Sequence, residues 1–120
     1  MPYELYRRGD RILHLAFIGD QSDADMEAFR DEFLPFVEAA TDDDPLLIVV
    51  DGTRSAKFSS DGRKVFLELN KNLKIAKVAV WGANRYARVL VSFVIKATGR
   101  NNIRFTETEQ EALDWLEAED

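Results

Sequence analysis

The segment Pro45-Leu46-Leu47-Ile48-Val49-Val50-Asp51 decides the fold of this chain. Its five consecutive apolar residues, with no polar residue between them, predict a strand that is buried on both faces. Such strands are typical of parallel sheets that are covered by helices. The segment ends at Asp51, and the loop after the carboxyl end of a central strand is where functional residues usually lie in open α/β folds.

The loop that follows, residues 52–62, is polar, is bounded by glycines and leads into a helix. A serine at the start of that helix is a candidate phosphorylation site, because free N–H groups and the helix dipole would stabilise a phosphate there. Alternatively, one serine only caps the helix and the other polar residues only form the loop. The candidate residues for a partner-binding or phosphorylated loop are Asp51, Thr53, Ser55, Ser59, Ser60 and Asp61.

Asp51 lies where receiver domains carry a metal-binding phospho-acceptor. That chemistry needs a second acidic cluster to hold Mg²⁺, and Asp20 is the only plausible additional carboxylate. We therefore expect Asp51 to cap the turn around Gly52-Thr53. The single histidine, His14, has no serine or cysteine in a nucleophile context beside it, so we expect a structural role for it in a strand. We predict no catalytic residue, no cofactor and no metal site.

The composition of the chain excludes several classes of function. The 120 residues are 46% hydrophobic and 32% charged, which is typical of one globular domain. A net charge of −6 argues against non-specific binding of nucleic acid, which needs phosphate-neutralising cations. Without cysteine there is no disulfide, thiol nucleophile or thiolate metal site. Because we find neither a signal segment nor an apolar run approaching ~20 residues, we expect a soluble, cytoplasmic protein without stable membrane insertion.

Strand and helix patterns alternate along the chain. Two short strands around Gly9-Asp10 predict a hairpin, with its first strand at the edge of the sheet. Apolar residues at steps of three and four from Met26 to Ala40 predict the first helix, in which Pro35 predicts a kink or a break. A second helix is predicted to be capped by Ser59 or Ser60, with an inner face of Val65, Phe66, Leu69 and Leu73. It is followed by a strand at Ile75–Trp81, a helix at Arg85–Thr98 that ends at Gly99, and a strand at residues 102–105. The last helix begins with a capping box of Thr108 and Glu111 and is predicted to bury Ala112, Trp115 and Leu116.

The resulting order, ββαβαβαβα, predicts an α/β fold. Strands that alternate with helices indicate a largely parallel sheet with right-handed crossovers. We therefore predict one domain over residues 1–120, with a five-stranded mixed sheet, an antiparallel N-terminal edge strand and four main helices.

The third predicted helix, Arg85–Thr98, is apolar around most of its circumference. A helix that covers one sheet face needs an apolar arc of only ~100°. The excess indicates burial by neighbouring helices of the same chain, a homodimer interface, or a cavity for an acyl chain. The residues that form it are Tyr86, Val89, Leu90, Phe93 and Val94. Arg85 and Arg88 are candidates for binding a carboxylate or phosphate headgroup, and the alternative is that they only form a solvated polar stripe.

Several short segments, in this order, resemble the SpoIIAA-like STAS family, also described as STAS domains related to CRAL-TRIO lipid-transfer domains. The resemblance covers nearly the whole chain. The segments that carry it are Phe17-Ile18-Gly19, Asp25-Met26-Glu27, Leu47 to Asp51, Lys77-Val78-Ala79-Val80-Trp81-Gly82, Phe105-Thr106-Glu107-Thr108 and Glu111-Ala112-Leu113-Asp114-Trp115-Leu116. The resemblance implies a STAS-like sandwich and a domain that is not an enzyme.

STAS domains typically regulate or bind other proteins, and the best-known group are anti-sigma factor antagonists. Those carry an Asp-Ser-Ser-Gly motif at the start of the second helix, and the serine nearer the glycine is phosphorylated. The corresponding residues here are Ser59-Ser60-Asp61-Gly62, so Asp61 stands at the phosphorylated position and Ser59 at that of the aspartate. This departure counts against a kinase-operated switch.

The lipid-transfer-like branch of the family is instead proposed to carry small nonpolar molecules. Together, the residues and the resemblance predict a non-catalytic binding or regulatory module that acts through a protein partner or as a homodimer. The alternative is a carrier of a fatty acid or lipid in an apolar cavity beside the third helix.

Overall fold

The computed structural model describes residues 2–9, 11–71 and 74–118, which contain seven strands and four helices. The strands are β1 (Tyr3–Arg8), β2 (Ile12–Phe17), β3 (Gly19–Gln21), β4 (Leu46–Asp51), β5 (Ser55–Phe58), β6 (Ile75–Trp81) and β7 (Ile103–Thr106). The helices are α1 (Asp23–Ala39), α2 (Ser60–Asn70), α3 (Arg85–Thr98) and α4 (Glu109–Glu117). Two predicted details, Asp10 in the hairpin turn and Leu73 on the second helix, fall outside the described residues.

The main sheet has five strands in the order β1-β2-β4-β6-β7. β1 pairs antiparallel with β2, and the other three pairings are parallel, which confirms the predicted α/β fold with a mixed sheet. β4 lies in the middle, and all six of its residues are buried. The uninterrupted apolar run therefore marks the central strand, as the sequence predicts.

The two faces of the sheet are covered by different helices. On one face α1, α2 and α3 contribute Phe29, Phe66 and Val94 to a large core that also contains Leu15 and Val50 of the sheet. On the other face Ala112 and Leu116 of α4 pack against Val49 and Ala79. Trp115, which we expected to be buried, is only half-buried at the edge of this smaller cluster. None of the helices within the described residues is long and apolar enough to cross a membrane.

α1 continues without interruption through Pro35, so the predicted break is wrong. Pro35 lies on the exposed side of the helix, where water can satisfy the carbonyl group that loses its N–H partner. Phe33 and Val37, two residues before and after it, are buried and hold the helix to the sheet. At the other end Ser22 is the N-cap and forms a capping box with Asp25.

β3 and β5 form a second, two-stranded parallel sheet that the sequence does not predict. We expected Ser55–Phe58 to lie in the loop after the central strand, and we predicted no strand over Gly19–Gln21. These segments are three and four residues long, too short for a clear apolar alternation. Gln21 anchors the pair, because it is buried and its side-chain amide donates to the Pro2 carbonyl at 2.7 Å. Ser55–Phe58, after the central strand, therefore forms a strand that pairs with β3.

Candidate functional site

The loops that follow β4 and β6 are joined by hydrogen bonds. The Gly52 N–H donates to the Trp81 carbonyl at 2.9 Å, and the Asn84 N–H donates to the Gly52 carbonyl at 2.9 Å. Asn84 is also the N-cap of α3, and its side-chain amide donates to the Ser55 carbonyl at 2.7 Å. One residue thus fixes the start of α3 relative to β5.

Asp51 organises the turn after the central strand. Its Oδ1 accepts from the Thr53 N–H at 2.9 Å and from the Thr53 hydroxyl at 2.6 Å. Its Oδ2 accepts from Arg54 at 3.2 Å. The Asp20 carboxylate accepts instead from the Lys57 N–H at 3.0 Å. These bonds confirm that Asp51 caps the turn. In residues 2–9, 11–71 and 74–118, no group of three His, Cys, Asp or Glu side chains lies close enough together to hold a metal ion.

Hydrogen bonds link Asp51, Arg54, Glu4 and His14 into one polar cluster. His14 is buried, as expected of a structural group. Its Nε2 lies 3.3 Å from Glu4 Oε1, and its ring stacks on Tyr6 with 4.4 Å between centroids. Arg54 donates to the same Glu4 oxygen at 2.8 Å. The hydrogen bond from Arg54, followed by that from His14, lowers the pKa of Glu4. The cluster therefore ties β1 and β2 to the turn after β4.

The three candidate serines occupy different environments. Ser59 is the N-cap of α2, and its Oγ accepts from the Gly62 N–H at 2.9 Å. Ser55 is buried in β5, which argues against it as a phosphorylation site. Ser60 and Asp61 are exposed in the first turn of α2. The loop therefore divides into one cap, one buried serine and one exposed serine, and phosphorylation of the exposed one remains a prediction.

A groove of about 510 Å³ lies between β5, α3 and the start of α2. We call it the β5–α3 groove. Its walls combine aromatic and aliphatic side chains with cationic ones. The residues that line it are Ala56, Lys57, Phe58, Arg63, Arg85, Tyr86, Val89, Leu90 and Phe93.

The apolar excess predicted for α3 is divided between this groove and the core. Val89 and Phe93 are 68% and 44% exposed, and both line the groove with the half-buried Tyr86. Leu90 is only 4% exposed and touches the groove from its floor. Val94 is fully buried, so it belongs to the core and not to an exposed surface as we expected. Burial by the same chain thus explains part of the apolar excess and leaves one ridge uncovered.

Positive charge surrounds the groove. Lys57, Arg63 and Arg85 line it, and no Asp or Glu side chain is among the described residues that do so. Arg85 donates to the Tyr86 hydroxyl at 3.0 Å and lies 4.9 Å from the centre of that ring. This hydrogen bond and the Arg85 charge, with a smaller contribution from Lys57, lower the pKa of Tyr86. The site therefore favours an anionic group beside an apolar surface.

Arg88 does not line the β5–α3 groove with Arg85, and the binding of a headgroup by these two residues stays a prediction. Its Nε donates to the Ala83 carbonyl at 3.2 Å, and its guanidinium lies 5.2 Å from the centre of the Phe105 ring. It lines a separate cavity of about 400 Å³, together with Arg104 and others. The two arginines are three residues apart on α3, and their side chains line different cavities.

The model of the SpoIIAA-like family matches residues 12–117 of this sequence. The chain belongs to this family. An uncharacterized protein of the DUF3478 family with a SpoIIAA-like fold, from Shewanella loihica PV-4, is similar in structure with a TM-score of 0.71 and 19% identity, over 95% of this chain and 91% of that one. The anti-sigma factor antagonist SpoIIAA in its unphosphorylated form gives a TM-score of 0.70 and 15% identity, over 95% of both chains. No match is found among curated proteins.

In this SpoIIAA-like chain, four residues that line the groove were not predicted from the sequence: Ala56, Lys57, Phe58 and Arg63. Phe58 is the one aromatic residue in the polar stretch after β4. Together with Ala56 it alternates with Ser55 and Lys57, a weak period of two that could have indicated β5. Arg63 could not have been found in this way, because only the packing of α2 beside α3 brings it to the groove.

Replacing Arg85 by glutamine is expected to raise the pKa of Tyr86 in this SpoIIAA-like chain. The guanidinium stabilises the phenolate by a hydrogen bond and by its charge, and glutamine removes the charge. An ultraviolet titration measures this shift once the curve of Tyr86→Phe is subtracted. Tyr3 ionises separately, because burial raises its pKa to about 12. Arg88→Gln is the control, and an equal shift in both variants would contradict the contact.

Proposed function

We propose that this SpoIIAA-like chain is a non-catalytic binding module that acts through protein–protein interaction at the β5–α3 groove. The observation that supports this most directly is the ridge formed by Val89 and Phe93, large apolar side chains left exposed on a helix whose Ala87, Leu90, Val91 and Val94 are buried. Exposed apolar patches with a polar rim mark association sites. The structural similarity to an anti-sigma factor antagonist is consistent with a protein partner. A cytoplasmic location remains a prediction of the sequence.

A binding role is preferred to an enzymatic one because of how the polar side chains are engaged. The His14 ring is buried and bonded to Glu4, which leaves it poorly placed as a general base. Asp51 is occupied by the backbone and hydroxyl of Thr53. The groove itself offers cations and a phenol, which bind anions but do not form a nucleophile–base pair.

We infer that the partner at the groove is a different protein and not a second copy of this chain. A two-fold dimer through this surface would place the patch that contains Lys57, Arg63 and Arg85 of one copy against the same cationic patch of the other. Like charges across an interface are unfavourable. Light scattering at several concentrations is expected to give the monomer mass, and a dimer that Phe93→Glu dissociates would instead show self-association through the groove.

A carrier of a small nonpolar molecule is the second candidate, favoured by the apolar groove wall next to the Arg85 guanidinium. Ligand pockets normally bury 70–90% of the ligand surface. The groove leaves Val89 and Phe93 open to water, and the cavity inside the core, beside Phe29 and Phe66, has a volume of about 10 Å³. A cavity of this volume is too small for an acyl chain. Native mass spectrometry of the chain purified from its source would show a bound lipid if this second function is the real one.

The proposed function is tested by comparing the proteins that bind to the original chain with those that bind to two variants. Phe93→Glu places a charge in the groove, and Ala28→Glu makes the same charge change on the exposed side of α1. A partner is expected to bind the original chain and Ala28→Glu, and to lose at least about 100-fold in affinity for Phe93→Glu, as at an interface hot spot. Titration calorimetry with the purified partner measures this. Equal binding to all three would place the interaction elsewhere.

A further inference from the structure

The charge of the β5–α3 groove is opposite to that of the chain as a whole. The chain carries a net charge of −6, yet the described residues that line the groove include three cations and no carboxylate. None of these three cations takes part in an ion pair between described residues. Electrostatic complementarity selects partners and accelerates their encounter. The groove therefore favours an anionic occupant.

The three cations come from three different elements: Lys57 from β5, Arg63 from the first turn of α2, and Arg85 from the start of α3. Positive charge thus reaches the groove from three elements, through three cations. An occupant with several separate negative charges uses all of them.

The free edge of β5 is poorly suited to receive an added strand. The Ser55 carbonyl already accepts from the Asn84 side chain at 2.7 Å, and the Lys57 N–H already donates to Asp20 at 3.0 Å. Strand addition depends on such main-chain groups being available. An extended peptide is therefore disfavoured at this place.

The apolar wall of the groove has the shape of a helical ridge. Tyr86, Val89 and Phe93 follow at steps of three and four along α3, so they form one row that spans about 10 Å of the helix. Such a row packs into the groove between the side-chain rows of a second helix. Recognition of an amphipathic helix in an apolar groove is an established mode of peptide binding.

We propose that the occupant of the β5–α3 groove is an amphipathic helix of a partner protein, with its apolar face on the row of Tyr86, Val89 and Phe93 and acidic side chains beside Lys57, Arg63 and Arg85. This inference rests on the proposed function and adds the chemistry of the partner. The apolar contact supplies most of the affinity, since exposed ion pairs contribute little each. The cations supply selectivity for acidic flanks.

A displayed library of helical peptides tests the inference. Its members carry fixed apolar residues at steps of three and four, and their flanking positions are randomised among Glu, Lys and Gln. Selection against the full chain, with removal of peptides that also bind Phe93→Glu, is expected to enrich Glu at the flanks. The selected peptides are expected to bind about tenfold more weakly to the triple variant Lys57→Gln, Arg63→Gln, Arg85→Gln. The control variant Arg11→Gln, Arg30→Gln, Lys71→Gln makes the same charge change outside the groove and should bind normally.

The outcomes separate the inference from the proposed function. Peptides that require Phe93 but show no bias, or a bias to Lys, would overturn the acidic partner and leave the groove as a protein-binding site. If no peptide remains after those that also bind Phe93→Glu are removed, both the inference and the proposed function are wrong. If the triple variant does not show the circular dichroism spectrum of the original chain, the single substitution Arg85→Gln replaces it. We then expect a smaller loss of affinity for the selected peptides.

Discussion

Val94→Glu is expected to unfold the chain, while Phe93→Glu, at the neighbouring position of α3, is expected to leave it folded. Val94 is fully buried in the large core, and a carboxylate there would have no partner and no water. We expect a loss of more than about 4 kcal/mol in the free energy of unfolding, which is most of the stability of a domain at the lower end of the usual range. Phe93 is 44% exposed, and its replacement should cost about 1 kcal/mol.

Urea denaturation followed by circular dichroism measures both variants. Val94→Ala serves where Val94→Glu gives no folded protein, and it should lose about 2 kcal/mol from the buried methyl groups that it removes. Similar losses for Phe93→Glu and Val94→Glu would mean that Phe93 is also a core residue. In that case the exposed ridge, and with it the proposed binding surface, would not exist.

Gly52→Ala is expected to destabilise the chain by about 3 kcal/mol and to displace the start of α3. A Cβ at this position would lie 2.8 Å from the Ala83 Cα and 3.3 Å from the Ala83 N. Backbone atoms cannot rotate away as side chains do, so the loops after β4 and β6 must separate. The hydrogen bonds that join them at Gly52 would then lengthen, and the β5–α3 groove would change shape. Denaturation and chemical-shift changes confined to residues 51–58 and 81–90 measure the two effects.

Gly99→Ala is the matched control for this substitution. Gly99 has a φ of +66°, and an added Cβ there would meet no atom within 4 Å. Its replacement is expected to cost only the backbone strain, about 1 kcal/mol, and to leave the groove unchanged. The double variant Gly52→Ala, Ala83→Gly should recover less than half of the loss, because the close backbone atoms remain. Full recovery would show that the contact is between side chains alone.

Most of the architecture could be predicted because each long element carries its own repeating pattern. The buried run before Asp51 gave the central strand, and the capping box of Thr108 and Glu111 marked the last helix. The pair β3 and β5 could not be predicted, because its three- and four-residue strands form only when the two segments meet. The break predicted at Pro35 is wrong for a related reason. The packing of Phe33 and Val37 maintains α1 although proline is a local helix breaker.

The candidate site was predicted only in part. The turn-capping role of Asp51 follows from its position at the end of a strand, and the structure confirms it. The apolar excess on α3 left burial by the same chain, a homodimer interface and a ligand cavity open, and it did not indicate that Val94 would lie in the core while Val89 remains exposed. The sequence placed Arg85 and Arg88 together, whereas the structure assigns them to different cavities. Composition on one helix gives the amount of apolar surface and not the direction of each side chain relative to the neighbouring elements.

The sequence by itself determined the class of fold, the central strand, the boundaries of α3, the start of α4 and the polar turn after β4. These features depend on periodicity, caps and turn residues, which act over a few neighbouring positions. Only the tertiary structure decided the β5–α3 groove and its charge. Lys57, Arg63 and Arg85 lie on three elements, and the packing of β5 and α2 beside α3 brings them together. Contacts between residues distant in sequence leave no local pattern, and so the binding surface proposed for this chain is a property of its packing.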